Sequence, residues 1–262
     1  MRILFVTSLF FIFMGIARAE LEVGVGLSAV HVPHYIGSDE SEEYFVPFPY
    51  LRYRSEKLTI DRNLIQGNMW RSGNWSLELS FGGAVKVDSD DSQARQGMED
   101  LDFIIEAGPA LHYYFLGDRT KNNALFLELP VRLATSTDFT QAQYRGFTFN
   151  PRVMWRRAYF MNGYEVRPQL SVGLRSGDDQ YHEYIYGVKR EFETTERPEY
   201  QARNGFGGYQ IGYSTAVLSR GWLVAGFFRY VNISGASYED SPLVSTKHNF
   251  TGGFAVAYLF QD

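Results

Sequence analysis

The chain has 262 residues, 45% of them hydrophobic and 16% aromatic, with no cysteine and a formal net charge of −5. Such a length admits one or two packed domains. The absence of cysteine excludes disulfides, thiolate metal sites and thiol nucleophiles, and the acidic balance argues against a nucleic-acid partner, which would require a basic face.

The N-terminus reads as an export leader. Met1 and Arg2 give a positive start, residues 3–16 form an almost unbroken apolar run, and Ala17 and Ala19 place small residues where a signal peptidase reads. The expectation is a signal peptide over residues 1–19 and one outer-membrane domain over residues 20–262. No second apolar run of about 18 residues follows, so the mature chain has no helix able to span a bilayer. An exported chain that crosses lipid without helices must close a sheet, because each backbone N–H and C=O then needs a partner within the protein. The 18 Tyr and 21 Phe suit the interfacial girdles of such a barrel.

Period-two alternation begins clearly at residues 75–87, with Trp75, Leu77, Leu79, Phe81, Val85 and Val87 on one face and Ser76, Glu78, Ser80 and Lys86 on the other. Residues 101–115 repeat it, setting Leu101, Phe103, Ile105, Leu111, Tyr113 and Phe115 against Asp102, Glu106 and His112. The series continues through Leu125 to Leu133, then Phe147, Phe149, Val153 and Trp155, then Tyr164, Val166, Leu170, Val172 and Leu174. A tight turn at residues 218–221 joins a strand carrying Tyr209, Ile211 and Tyr213 to one carrying Trp222, Phe228 and Tyr230. Phe250, Phe254, Val256, Tyr258 and Phe260 alternate in the last strand. Residues 57–70 are either one strand or two short ones turning at Asn63.

A soluble β-sandwich also alternates. Strands of about 10 residues, an apolar face on nearly every strand and loops that alternate short and long favour a barrel. Short links fall near Ser55, Ser72, Asp118, Met161 and Ser219, and long ones cover residues 32–43, 88–100, 136–143, 176–205 and 235–248. Trp70, Trp75, Trp155 and Trp222 all lie beside short turns, as residues of one membrane interface would. The fold class read here is an all-β, transmembrane, antiparallel up-and-down β-barrel of about twelve strands, with ten as the alternative. Residues 181–188 fall in a long external excursion that folds over the mouth.

Chemistry is sparse. His31, His34, His112, His182 and His248 are scattered without a metal-binding spacing, and no nucleophile motif supports a serine–histidine hydrolase. The acidic runs at residues 39–43 and 88–91 do not match a calcium loop and read as solvated, able to bridge weakly through divalent cations to lipopolysaccharide phosphates. No catalytic, cofactor-binding or metal residue is therefore assigned, and no cofactor is expected. Strand phase points Glu78, Lys86, Asp102, Glu106, Glu128, Arg132, Arg152, Arg156, Glu165, Arg167 and Arg175 inward. Such charges either pair and fill the lumen, the favoured reading, or line a selective pore.

Several segments resemble the MltA-interacting protein/OmpV family of outer-membrane proteins. They are His34-Tyr35-Ile36-Gly37-Ser38, Val46-Pro47-Phe48-Pro49-Tyr50-Leu51, Gly97-Met98-Glu99-Asp100-Leu101-Asp102, Tyr184-Ile185-Tyr186-Gly187-Val188 and Asp240-Ser241-Pro242-Leu243-Val244. The resemblance implies a non-enzymatic scaffold that brings a membrane-bound lytic transglycosylase to a penicillin-binding protein. A small-solute channel or a surface-adhesion or osmotic-response protein is the alternative.

Overall fold

The computed structural model describes residues 20–54, 58–61, 64–118 and 121–260. The expected signal peptide and the link near Ser55 lie outside them. Among the described residues fifteen strands form one sheet, every pairing antiparallel. They are β1 (Glu20–Pro33), β2 (Ser41–Arg54), β3 (Leu58–Asp61), β4 (Leu64–Ser72), β5 (Trp75–Ala84), β6 (Phe103–Leu116), β7 (Asn123–Thr137) and β8 (Ala142–Phe149). Then follow β9 (Arg152–Arg157), β10 (Tyr159–Met161), β11 (Tyr164–Val166), β12 (Gln169–Gly177), β13 (Gly205–Ser219), β14 (Trp222–Asn232) and β15 (His248–Phe260). Strands consecutive in sequence pair from β1 to β8, as hairpins dictate, with register shifts at Asn68/Trp70, Tyr114/Leu116 and Leu133/Thr135. β15 pairs with both β14 and β1, and β12 pairs with both β9 and β13.

The alternation read from the sequence sorts the two faces. Leu133, Val172, Phe254 and Trp222 are exposed, while the residues between them turn inward, so that Glu78, Ser80, Glu106 and Glu128 are buried. An exposed apolar face is costly in water and favourable in hydrocarbon. Proline and turn chemistry explain the breaks. Residues 147–155 are interrupted at Asn150 and Pro151, since proline has no N–H to give the ladder, and the pieces β8 and β9 both pair with β7. The β13–β14 link is a two-residue turn in which Arg220 and Gly221 have φ of 45° and 80°, the left-handed pair that matches strand twist.

The described residues of segment 57–70 form two strands, β3 and β4, paired from Leu58↔Gly67 to Asp61↔Leu64, and the turn expected at Asn63 lies outside the described residues. The strand expected over residues 75–87 stops at Ala84, and Val87 is held to Leu101 by an isolated bridge. The excursion 178–204 carries a helix, α1 (Asp179–Tyr186), whose first turn is capped by the Asp178 carboxylate accepting from the Tyr181 N–H at 2.9 Å. Tyr181, His182, Ile185 and Tyr186 form its buried face, at the spacing that puts residues on one side of a helix. α1 is too short to cross a membrane.

Candidate functional site

Four loops, residues 34–40, 85–102, 178–204 and 233–247, pack together at the long-loop end. Tyr35, Tyr181, Ile185, Tyr186, Tyr238 and Leu243 share one apolar cluster, with the Tyr186 and Tyr238 rings stacked 3.7 Å apart. The hydroxyls of its four buried tyrosines each have a partner, as buried polar groups require, Tyr181 donating to Glu106. Tyr35 donates to the Leu243 carbonyl, Tyr186 to Ile36 and Tyr238 to Gly207. Burial pushes the Tyr35 hydroxyl up to about 12, so it stays a donor. Arg95 ties the second loop to the third through the Ile185 carbonyl at 3.0 Å, and Asn249 on β15 holds the first through Gly37 N and Ser38 O. Asp100 is held below the usual carboxylate range by the Ser89 N–H and by Lys86, 3.0 Å away.

His182 is fixed by its hydrogen bonds in the cap. His182 Nδ1 lies 2.7 Å from the Arg203 carbonyl and 3.3 Å from Ser237 Oγ. A carbonyl only accepts, so Nδ1 carries the proton there, and Ser237 also donates to Arg203 O at 3.0 Å. Neither atom is free to act as base or nucleophile toward the other. Among the described residues no three His, Cys, Asp or Glu side chains come together as a metal site.

Beneath the cap lies a cavity of about 620 Å³. Charge is concentrated on its β5–β9 side. Arg132 donates to Ser80 Oγ at 2.9 and 2.7 Å and stands 3.6 Å from Glu106 and 3.9 Å from Glu128. Arg152 grips Glu128 with two bonds of 2.8 and 3.1 Å, its direct cross-strand neighbour. Glu106 also accepts from Thr148 and Tyr181, and Glu78 accepts from Ser76, with His112 3.7 Å away. Below, Tyr114, Phe126 and Met154 form an apolar floor.

Of the eleven charges read as inward, Glu78, Glu106, Glu128, Arg132, Arg152, Arg156 and Arg175 line this cavity. Glu165 and Arg167 pair with each other at 2.8 Å toward the short-turn end. Lys86 departs from the expectation: it lies past the end of β5, exposed, on Asp100. Asp102 sits at the cap, where its N–H donates to the Tyr184 hydroxyl. Sequence reasoning missed Arg229, although the alternation of Phe228 and Tyr230 on either side of it turns it inward by phase alone, and it lines the cavity.

A sheet with lipid-compatible residues outside, charge inside and a loop cap at one end defines a protein that crosses the outer membrane on strands. Residues 25–260 match the family model described as MltA-interacting protein MipA, and the chain belongs to that family. It is an exported protein of the outer membrane. It is 24% identical over 217 residues to outer membrane protein Omp26La of Vibrio anguillarum, covering 79% of this chain and 76% of that one. Among solved structures it is similar to a bacterial polysaccharide outer membrane secretin, with a TM-score of 0.42 and 11% identity over 92% of this chain and 98% of that one. Neisserial surface protein A gives a TM-score of 0.23 and 9% identity over 92% and 99%.

Proposed function

We propose that the mature chain, freed of residues 1–19, is a closed barrel of twelve crossings that serves as a non-enzymatic scaffold for peptidoglycan-remodelling enzymes. Counting β8 to β10 as one crossing and β11 with β12 as another gives that number, and the β12–β13 and β15–β1 pairings support closure. The short turns then face the periplasm and the capped loops face outside, where acidic residues meet lipopolysaccharide through divalent cations.

The observation that carries the scaffold reading is the charge left exposed at the short-turn end. Lys121, Arg157 and Arg220 are exposed there, while the carboxylates of Asp118 and Glu165 are engaged by Arg71 and Arg167. A basic rim of this kind fits an acidic surface on a soluble partner and steers its approach. The family's description as an MltA-interacting protein names a partner of the lytic transglycosylase kind, and a penicillin-binding protein would complete the pair. The test is affinity capture from solubilised envelopes. A lytic transglycosylase and a penicillin-binding protein should be retained, and the triple variant Lys121→Glu, Arg157→Glu, Arg220→Glu should release them. Capture of neither enzyme, or equal capture by the variant, would sink the scaffold. The cavity favours a second reading, a small-solute channel, which discrete conductance steps in planar bilayers would support.

A further inference from the structure

The interior is not balanced. Eight side chains with permanent charge line the cavity: Glu78, Glu106 and Glu128 against Arg132, Arg152, Arg156, Arg175 and Arg229. Arg132 and Arg152 are spent on the carboxylates. Arg175 and Arg229 make no hydrogen bond or ion pair among the described residues, although a guanidinium carries five donors. The sheet explains why. Arg229 stands in a row whose cross-strand neighbours are Gly212 on β13 and Thr251 on β15, and beyond Gly212 the row continues to Ser171 on β12. None of these is an anion. Arg175 is opposite Gly208 and faces the cap tyrosines Tyr181, Tyr186 and Tyr238, with Glu106 the carboxylate on its side of the cavity. Arg229 shares the cavity lining with Arg132, Arg152 and Arg175, all of its own sign, and with the carboxylates of Glu78, Glu106 and Glu128.

Two guanidiniums without an acidic partner, facing the open cavity among others of like charge, have the chemistry of an oxyanion receptor. We propose that this cavity binds an anion bearing carboxylate or phosphate oxygens, gripped between Arg229 and Arg175. The small residues of β12, β13 and β15 supply the room, and the cap tyrosines roof the site. This goes beyond the scaffold reading and stands whether or not that reading holds. The oxyanion is either a free solute or a lipid headgroup, and the chemistry of recognition is the same for both.

The experiment uses the full mature protein in nonionic detergent. Citrate and inorganic phosphate are titrated by calorimetry at ionic strength held constant with chloride. In parallel, unfolding is followed in phosphatidylcholine vesicles with and without phosphatidylglycerol. Binding of citrate or phosphate that Arg229→Gln weakens by about tenfold or more, the loss of one charge-assisted pair, supports a free solute. Stabilisation by phosphatidylglycerol alone, abolished by Arg229→Gln, supports a headgroup. Ser171→Glu, which builds a carboxylate into the same row two strands away, should block either ligand from within. Without anion, Arg229→Gln should unfold no more easily than the parent, because no partner is lost. Absence of binding in every arm, unchanged binding by Arg229→Gln, or a less stable ligand-free Arg229→Gln would each overturn the proposal.

Discussion

Charge placed on either side of a single strand separates lipid from lumen, and β12 is the place to do it. Val172 is 52% exposed near the middle of the crossing formed by β11 and β12. Its cross-strand neighbours Val153 and Ile211 are exposed too, as are Leu170 and Leu174 on its own strand. An arginine there finds no acceptor in any direction. Val172→Arg should therefore cost about 2–4 kcal/mol, the range for this charge near the bilayer midplane, or roughly a thirty- to several-hundred-fold loss in the folding constant. The adjacent inward Ser171→Glu should cost nothing or stabilise, since it projects a carboxylate into a cavity with an excess of guanidinium groups. Both are read by reversible urea unfolding in phosphatidylcholine vesicles, with tryptophan emission as the signal, after insertion is verified. A neutral Val172→Arg beside a damaging Ser171→Glu would invert the faces. The strand would then be one residue out of register, and every inward assignment on β12 would fall with it.

Closure predicts that the folded protein runs faster on gels unheated than boiled, because a barrel without edges resists detergent until its strands part together; equal mobility in both lanes would refute it. The cap should loosen in acid. Burial lowers the pKa of His182 below its ordinary 6.5, with Arg175 acting in the same direction and the Arg203 carbonyl and Asp178 opposing. The folded state thus binds fewer protons than the unfolded, so the stability this histidine supplies is complete above about pH 6.5 and is lost as pH falls from there toward the folded value. Hydrogen exchange of residues 187–204, corrected for intrinsic rate, should be faster at pH 5 than at pH 7. Protection unchanged across that interval would show that His182 does not hold the cap.

Strand positions were legible because lipid and lumen impose the same two-residue period on every crossing. Alternation at residues 123–137 places Leu133 outside and Arg132 inside without any knowledge of neighbours. Where the chain leaves the bilayer that constraint vanishes. Residues 85–87 keep the alternation of β5, yet Val87 bridges to Leu101 in the cap instead of extending the strand. α1 was illegible for a related reason. It is two turns long, its buried face is built of tyrosine and histidine, and its position depends on bonds to partners far along the chain, such as Ile36 and Glu106. Four of the five segments that carry the family resemblance, at residues 34–38, 97–102, 184–188 and 240–244, meet in this cap. Their spacing along the sequence gives no hint of that meeting.

The interior shows where phase stops informing. Period two says that Glu128, Arg152 and Arg229 all turn inward, but pairing depends on which strands are adjacent and in what register. Glu128 and Arg152 are directly opposite on β7 and β9, so their charges cancel at contact distance. Arg229 has the same inward phase and meets Gly212 and Thr251. A list of inward charges therefore suggests a lumen filled by ion pairs, while the register divides that list into arginines that are held and arginines that are not. The unheld ones adjoin the open volume, because the glycine and threonine that leave Arg229 without a partner are also what leave the cavity room. Unsatisfied charge and empty space in this protein thus have one cause, the small residues on β12, β13 and β15, and a ligand that fills the space answers the charge.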